Sequence, residues 1–392
     1  MTLTFMAGVI SIPLFFRNSY TGKRFLGRIQ LSDMRENLRD KGKKVLVAMS
    51  GGVDSSVAAY LLMEEGFRVE GVTMNFGIEG VGDEGARRCG AEAAGDAKRV
   101  CECLGIPHHV LDYADDLKEK IIGPFVDEYR KGRTPNPCVN CNRFLKFGSL
   151  LEKARAMGFD FLATGHYAKI ETRDGDYFLK RPRDKRKDQT YFLYAIPRSV
   201  LGSLLFPLAP FTKDEVWETA KRTKLPVADR AESQDICFIP QKNYGAFLSE
   251  RIQGIRPGPI TDCLGNKLGE HKGIVFYTIG QRGGLGISAK SPLYVVSIDV
   301  PGNRIVVGGK KDIMAIALLA GDLNVLAGEW PTTVYGKVRY RKKEARCSAV
   351  VEGDKLWVIF EEEQAAITPG QSVVLYDGDI VLGGGVIEEA FS

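Results

Sequence analysis

No run of apolar residues reaches the roughly 18 that a bilayer-spanning helix requires, so a soluble protein with no membrane partner is expected. The apolar stretch from Leu3 to Phe16 has no basic segment before it, which argues against a secretory signal. Cysteine is sparse. Eight in 392 residues are too few for a disulfide scaffold, so a reducing compartment, the cytoplasm, is expected and any conspicuous thiol should be reactive or metal-binding. Neither sign of charge dominates, with 54 basic residues against 49 acidic. Residues 1–42 hold seven basic and three acidic residues, which leaves the remainder at +1 and excludes a histone-like polycation. Local basic stretches can still hold a polyanion such as RNA. There is no Gly-x-x-x-x-Gly-Lys-Ser/Thr loop and no internal repeat of solenoid period. An apolar content of 44% excludes a disordered chain.

The length exceeds the roughly 250 to 300 residues at which single cores stop growing, so two or three domains are expected. Residues 1–42 read as an N-terminal extension. Arg17, Lys23, Arg24 and Arg28 precede its first acid, Asp33, as in an organellar targeting segment; a disordered extension, or a start at Met34, is the alternative. From Lys44, short apolar strands at 44–49, 68–74, 108–111 and 159–164 alternate with helical patterns, the signature of an α/β fold on a parallel sheet over 43–240. Residues 241–286 form a small mixed module punctuated by Pro257-Gly258, Gly265-Asn266 and Gly283-Gly284. Residues 287–392 read as a small β-barrel, with strands expected at 293–300, 304–307, 334–340, 349–351, 356–360 and 372–376.

The first strand leads into Ser50-Gly51-Gly52-Val53-Asp54-Ser55 and then directly into a helical pattern. Open backbone N–H groups and the helix dipole favour an anion there, and glycine lets the backbone approach phosphate oxygens. The serines can donate to those oxygens, and Asp54 is placed to hold a Mg²⁺ ion. The run resembles the pyrophosphate loop of enzymes that use ATP to adenylate a carbonyl oxygen, among them GMP synthetases, argininosuccinate synthetases, tRNA lysidine synthetases and tRNA thiolases. Met74, ending the second strand, would lie beside a nucleotide at the carboxyl edge of the sheet, or is a core methionine. Gly165 and His166 follow a later strand to the same edge.

A second motif is Gly132-Arg133-Thr134-Pro135-Asn136-Pro137-Cys138-Val139-Asn140-Cys141, which opens the helical pattern Phe144, Leu145, Phe147, Leu150, Leu151. A thiol at a helix N-terminus has a lowered pKa, so one of these sulfurs is expected to be partly thiolate. Cys237, in Ser233-Gln234-Asp235-Ile236-Cys237-Phe238, is a third candidate. A Cys-x-x-Cys can also be half a zinc site or a redox pair, but no second pair is spaced to complete a zinc shell. Cys89, Cys101, Cys103, Cys263 and Cys347 read as buried or incidental.

With Lys187-Asp188-Gln189-Thr190-Tyr191-Phe192 and Thr278-Ile279-Gly280-Gln281-Arg282-Gly283-Gly284-Leu285-Gly286, these motifs resemble those of the tRNA-specific 2-thiouridylases, the bacterial and organellar enzymes that make 2-thiouridine at the wobble position. The resemblance spans almost everything after residue 42. It implies a pyrophosphate-loop catalytic domain, a small central domain and a tRNA-gripping C-terminal barrel. It implies ATP binding by Ala48, Met49, Ser50, Gly51, Gly52, Val53, Asp54, Ser55, Met74 and Gly165. Asn136, Pro137 and Cys138 would meet the target uracil, and His166, Lys187, Asp188, Gln189, Arg339, Tyr340 and Gln371 would contact tRNA. Cys141 would be the nucleophile and Cys237 the persulfide carrier, fed by an upstream sulfur donor and resolved through a transient disulfide. Some family members carry Asp at the position of Cys138. With cysteine there, Cys138, Cys141 and Cys237 could instead ligate a [4Fe-4S] cluster. Basic stretches at 180–187 and 337–346, each with six basic residues and one acid, fit a phosphate backbone. Rival readings are another adenylating ligase or amidotransferase, which leaves the cysteines unexplained, and a catalytically silent RNA-binding module.

Overall fold

The computed structural model describes residues 42–78, 91–228, 236–239 and 243–392. Of the N-terminal extension, only residue 42 falls within them.

The segment KVLVA forms strand β1 (Lys44–Ala48), buried along its middle because both faces of the sheet are covered. Leu46 points into the core built by Leu145, Phe147 and Leu151, whereas Val45 and Val47 face Val57, Ala58, Leu62 and Val100. With β2 (Arg68–Asn75), β3 (His108–Asp112), β4 (Phe161–Thr164) and, past the β5 (Lys169–Arg173) and β6 (Asp176–Lys180) hairpin, β7 (Leu204–Leu205), it makes a five-stranded sheet in the order β3-β2-β1-β4-β7. All its pairings are parallel. The strand order reverses between β1 and β4, and open α/β sheets bind ligands in the crevice outside the strand carboxyl ends at such a point. The loop after β1 and the turn after β4 open onto that crevice.

A second, four-stranded sheet has the order β10-β11-β8-β9, from β8 (Gly258–Thr261), β9 (Lys267–His271), β10 (Tyr294–Asp299) and β11 (Arg304–Gly308). The sequence places the last two strands in the barrel. Instead β10 pairs with β11 and β11 with β8, through Ile305↔Ile260, and they share a core of Ile260, Tyr277, Leu285, Val295 and Val307. Turn signals alone could not separate a barrel strand from a strand of the preceding module.

The barrel is six strands: β12 (Met314–Val325), β13 (Val334–Lys337), β14 (Ala345–Glu352), β15 (Lys355–Ala365), β16 (Ser372–Asp377) and β17 (Ile380–Phe391). Their order is β12-β15-β14-β13-β16-β17, and β12 closes against β17. Register shifts in the β12 pairings supply the bends that closure needs. The β5–β6 hairpin of the first domain joins the barrel's β17 at Ile380↔Lys180. Asn324 donates to the carbonyls of Tyr194 and Ile196, and Tyr191 OH donates to Ser372 O at 2.9 Å, so the barrel is bonded directly to the parallel-sheet domain. No helix among the described residues is long and apolar enough to cross a membrane.

Candidate active site

After β1 the chain enters the Ser50–Gly52 turn, and a helix begins at Val53 (Val53–Glu64) with Gly52 as a cap that lends no side chain. The first backbone N–H groups of that helix therefore face the crevice, an anion site made of backbone. Gly51 takes φ +70°, and a Cβ there would stand 2.8 Å from Ala93 O. Ser50 N donates to Ser55 Oγ at 3.2 Å, and Ser55 Oγ donates to Gly52 O at 3.1 Å, which holds the turn closed. Gly165, just past β4, lies against the loop so tightly that a Cβ would come within 2.6 Å of Ser55 N. Met74, one residue before the end of β2, is half-buried at the same edge.

Asp54 Oδ1 accepts from Tyr167 OH at 2.9 Å and from Lys213 Nζ at 2.7 Å. Sequence reading missed Lys213. Its ammonium lies within 6 Å of the rings of Tyr167 and Trp217, 5.9 and 5.1 Å from their centroids. A hint was present: Thr212 and Glu215 form a capping box, and a lysine at the first position inside it opposes the helix dipole. The Asp54 carboxylate thus carries a counter-ion already. A Mg²⁺ ion held by one carboxylate and substrate phosphates is still compatible with it, since Mg²⁺ ordinarily keeps few protein ligands.

The thiol half begins at Asn136, whose side chain accepts from Cys138 N at 3.2 Å and caps the helix that follows. That helix runs through Pro137–Asn140, widens to a π-helix over Cys141–Ser149 and returns to α-helix at Leu150–Ala156. Wide turns of this kind are common at functional sites. Within it Asn142, also missed by sequence reading, donates to Phe192 O at 3.0 Å and accepts from Lys146 Nζ at 3.0 Å. Cys141 is buried, while Cys138 and Cys237 are half-buried.

The expectation of a thiolate is corrected. Burial pushes Cys138 up to about 12 and Cys141 up to about 11, each also raised by neighbouring thiols and lowered by the Lys146 ammonium. Desolvation outweighs Lys146. Cys237 lies near enough to raise both Cys138 and Cys141 electrostatically. All seven described cysteines are free thiols, so no disulfide joins Cys141 to Cys237 in this state. Among the described residues no three His, Cys, Asp or Glu side chains are grouped to hold a metal ion. Ser233, Gln234, Asp235 and Cys89 lie outside the described residues.

His166 links the two halves. Its backbone follows Gly165, its ring packs 5.9 Å from Phe147 of the cysteine helix, and its Nδ1 lies 2.7 Å from Thr164 Oγ1. Burial, then Lys146, holds its pKa well below the ordinary 6.5, so the ring is neutral.

The remaining expected contacts line the joins between domains. Asp188 is buried and accepts from Thr190 N and Oγ1, and Gln189 Oε1 accepts from Tyr167 N at 2.8 Å. Lys187, next to them, is half-buried. Arg339 donates to Ile279 O at 2.9 Å and to Thr368, Tyr340 lies 4.4 Å from the Phe192 ring, and Gln371 Nε2 donates to Thr134 O at 2.7 Å. Most of the 180–187 basic stretch is engaged: Lys180 with Glu171, Arg181 with Glu344, Arg183 with Glu215, Lys185 with Asp379 and Arg186 with Asp184.

Three family profiles match the chain. Residues 43–241 match a tRNA methyl transferase HUP domain, 245–309 a tRNA methyl transferase PRC-barrel domain and 315–387 an aminomethyltransferase beta-barrel domain. The chain is 58% identical over 348 residues to the tRNA-specific 2-thiouridylase MnmA 1 of Syntrophus aciditrophicus, covering 89% of this chain and 93% of that protein. It is 49% identical to the MnmA 1 of Caldanaerobacter subterraneus, covering 88% and 98%. It is 51% identical to the MnmA of Caldicellulosiruptor saccharolyticus, covering 89% and 99%.

Proposed function

The chain belongs to the tRNA-specific 2-thiouridylase family and is a tRNA-uridine 2-sulfurtransferase, and we propose that it thiolates the wobble uridine by ATP-dependent adenylation followed by sulfur transfer from Cys237. Oxide is a poor leaving group from C2 of uracil. The C2 oxygen attacks the α-phosphate of ATP, a C2–O–P linkage forms, and pyrophosphate leaves. The N–H groups at the start of the 53–64 helix, with Ser50 and Ser55, hold the departing pyrophosphate, and Lys213 and Asp54 set the charge balance beside it. Mg²⁺ at Asp54 would neutralise further phosphate charge.

The target base must leave its stack to reach Cys138, Cys141 and Cys237. The terminal sulfur of a Cys237 persulfide, supplied by an upstream donor, attacks C2 and AMP departs. Cys141 then attacks the Cys237 sulfur, forming a Cys141–Cys237 disulfide and releasing the thiocarbonyl; an external dithiol reduces the pair for the next cycle. No step passes through a metal cluster. The observation that carries this reading is the meeting of phosphate loop and thiols through Gly165, His166 and Lys146. The cytoplasm, where tRNA and ATP meet, is the expected place of work.

The test uses iron-free protein with unmodified tRNA, ATP, Mg²⁺ and a persulfide donor, read by nucleoside mass spectrometry and pyrophosphate release. Cys141→Ser and Cys237→Ser are expected to lose 2-thiouridine and keep tRNA-dependent pyrophosphate release. Wild-type amounts of product from either variant would refute the sulfur route.

A further inference from the structure

Between Gln281 and β10 the central module carries the loop Arg282-Gly283-Gly284-Leu285-Gly286-Ile287-Ser288-Ala289-Lys290-Ser291-Pro292-Leu293, which holds two cations and no acid. Its base is pinned: Gly280 N donates to Val295 O at 2.8 Å, Val295 N donates to Gln281 O at 3.0 Å, and Leu285 is buried in the module's core. Gly284 and Gly286 take φ +75° and +68°, so the backbone turns twice without side chains in the way. The loop encloses a concavity of about 630 Å³ lined by Arg282, Lys290 and the backbone between them.

Among the described residues no backbone N–H from 282 to 293 donates a hydrogen bond, and neither Arg282 nor Lys290 has an acidic partner. This separates the loop from the 180–187 stretch, whose cations are mostly matched by carboxylates. The loop also adjoins the site. Thr278, four residues before Arg282, has its hydroxyl 3.2 Å from Thr134 Oγ1, and Thr134 lies two residues before the helix-capping Asn136.

We propose that the 282–293 loop is a docking site for the sugar-phosphate backbone of the tRNA, with Arg282 and Lys290 as its cations and the open N–H groups as its donors. Open backbone N–H groups and mobile cations are what phosphate oxygens take, and a glycine-rich turn allows the close approach. The inference rests on the tRNA-thiolating reading above and adds a contact outside its catalytic crevice.

The test titrates an unmodified tRNA transcript against full-length protein between about 50 and 200 mM salt. Replacing both cations, Arg282→Ala with Lys290→Ala, is expected to weaken binding on the order of tenfold at about 0.1 M salt and to flatten the log–log salt slope by about one per cation. Arg282→Lys, which keeps the charge, is expected to retain the wild-type slope. Wild-type affinity and slope in the double variant, or weaker binding at an unchanged slope, would overturn the docking site alone. Failure of the wild-type protein to bind tRNA would overturn the thiolation reading with it.

Discussion

A lysine at the first turn of a helix opposes the helix dipole, yet Lys213 sits there with its side chain only 6% exposed. What holds it is Asp54, 159 residues earlier in the chain. Lys213→Met should cut tRNA-dependent pyrophosphate release by roughly 100-fold, the scale of losing one charge-stabilising donor. It should also lower stability by about 1–3 kcal/mol, reduced from a fully buried pair because Asp54 is one-third exposed. Adding Asp54→Asn should restore part of the melting temperature and none of the activity; full independence of the two changes would contradict the pairing. Lys146 acts on the thiols in the same way. Because it lowers both Cys138 and Cys141, Lys146→Met should move the pH at which Cys141 reacts with an alkylating agent upward, and an unmoved profile would remove Lys146 from the site. Lys213 and Asn142 were not legible in the sequence because their roles come from partners far along the chain. The phosphate loop and the Cys-x-x-Cys were legible because their chemistry is local to a few consecutive residues.

At the scale of elements, the 3.6-residue period that marks Phe144, Leu145, Phe147, Leu150 and Leu151 as one helical face is only partly kept. The π-helix over Cys141–Ser149 shifts the face, so Leu145, Phe147, Leu150 and Leu151 are buried while Phe144 is 40% exposed. Gly148 permits the widening, since a Cβ there would meet Arg143 O at 2.9 Å. Periodicity assumes a constant turn and cannot report such a change. The barrel's two longest strands were hidden for a related reason. β17 carries Gly383, Gly384 and Gly385 where side chains would alternate, and Gly384 is kept small by Val373 O and the Tyr194 ring, 2.2 and 2.9 Å from where its Cβ would be. Gly165 has the plainest consequence for function. Gly165→Ala should displace the loop at Ser55 and reduce pyrophosphate release by about 100-fold with a stability loss of about 1–3 kcal/mol. Normal release from that variant would show that the turn after β4 does not shape the phosphate site.

Across the whole molecule, buried thiols couple stability to pH. Burial raises Cys101 and Cys141 to about 11 and Cys138 and Cys347 to about 12, above the ordinary 9.0. A group whose folded pKa is raised contributes stability that is complete below its unfolded pKa and is lost as pH rises through the folded one. The melting temperature should therefore hold up to about pH 9 and fall above it, and Cys101→Ala with Cys347→Ala should flatten that fall. Equal alkaline loss in the double variant would assign it elsewhere. The same three-part architecture that buries these thiols also holds the site together. Gly370 of the barrel lies against Thr134, and Arg339 reaches the central module at Ile279, so the approach to the cysteines is built from all three sheets' domains. The central claim is that sulfur leaves Cys237 and that Cys141 resolves it. The most direct measurement is a single turnover of persulfide-loaded protein with tRNA and ATP, without reductant, quenched in acid and digested for peptide mass spectrometry. The account predicts one Cys141–Cys237 disulfide for each 2-thiouridine formed; 2-thiouridine accumulating while both thiols remain free would contradict it.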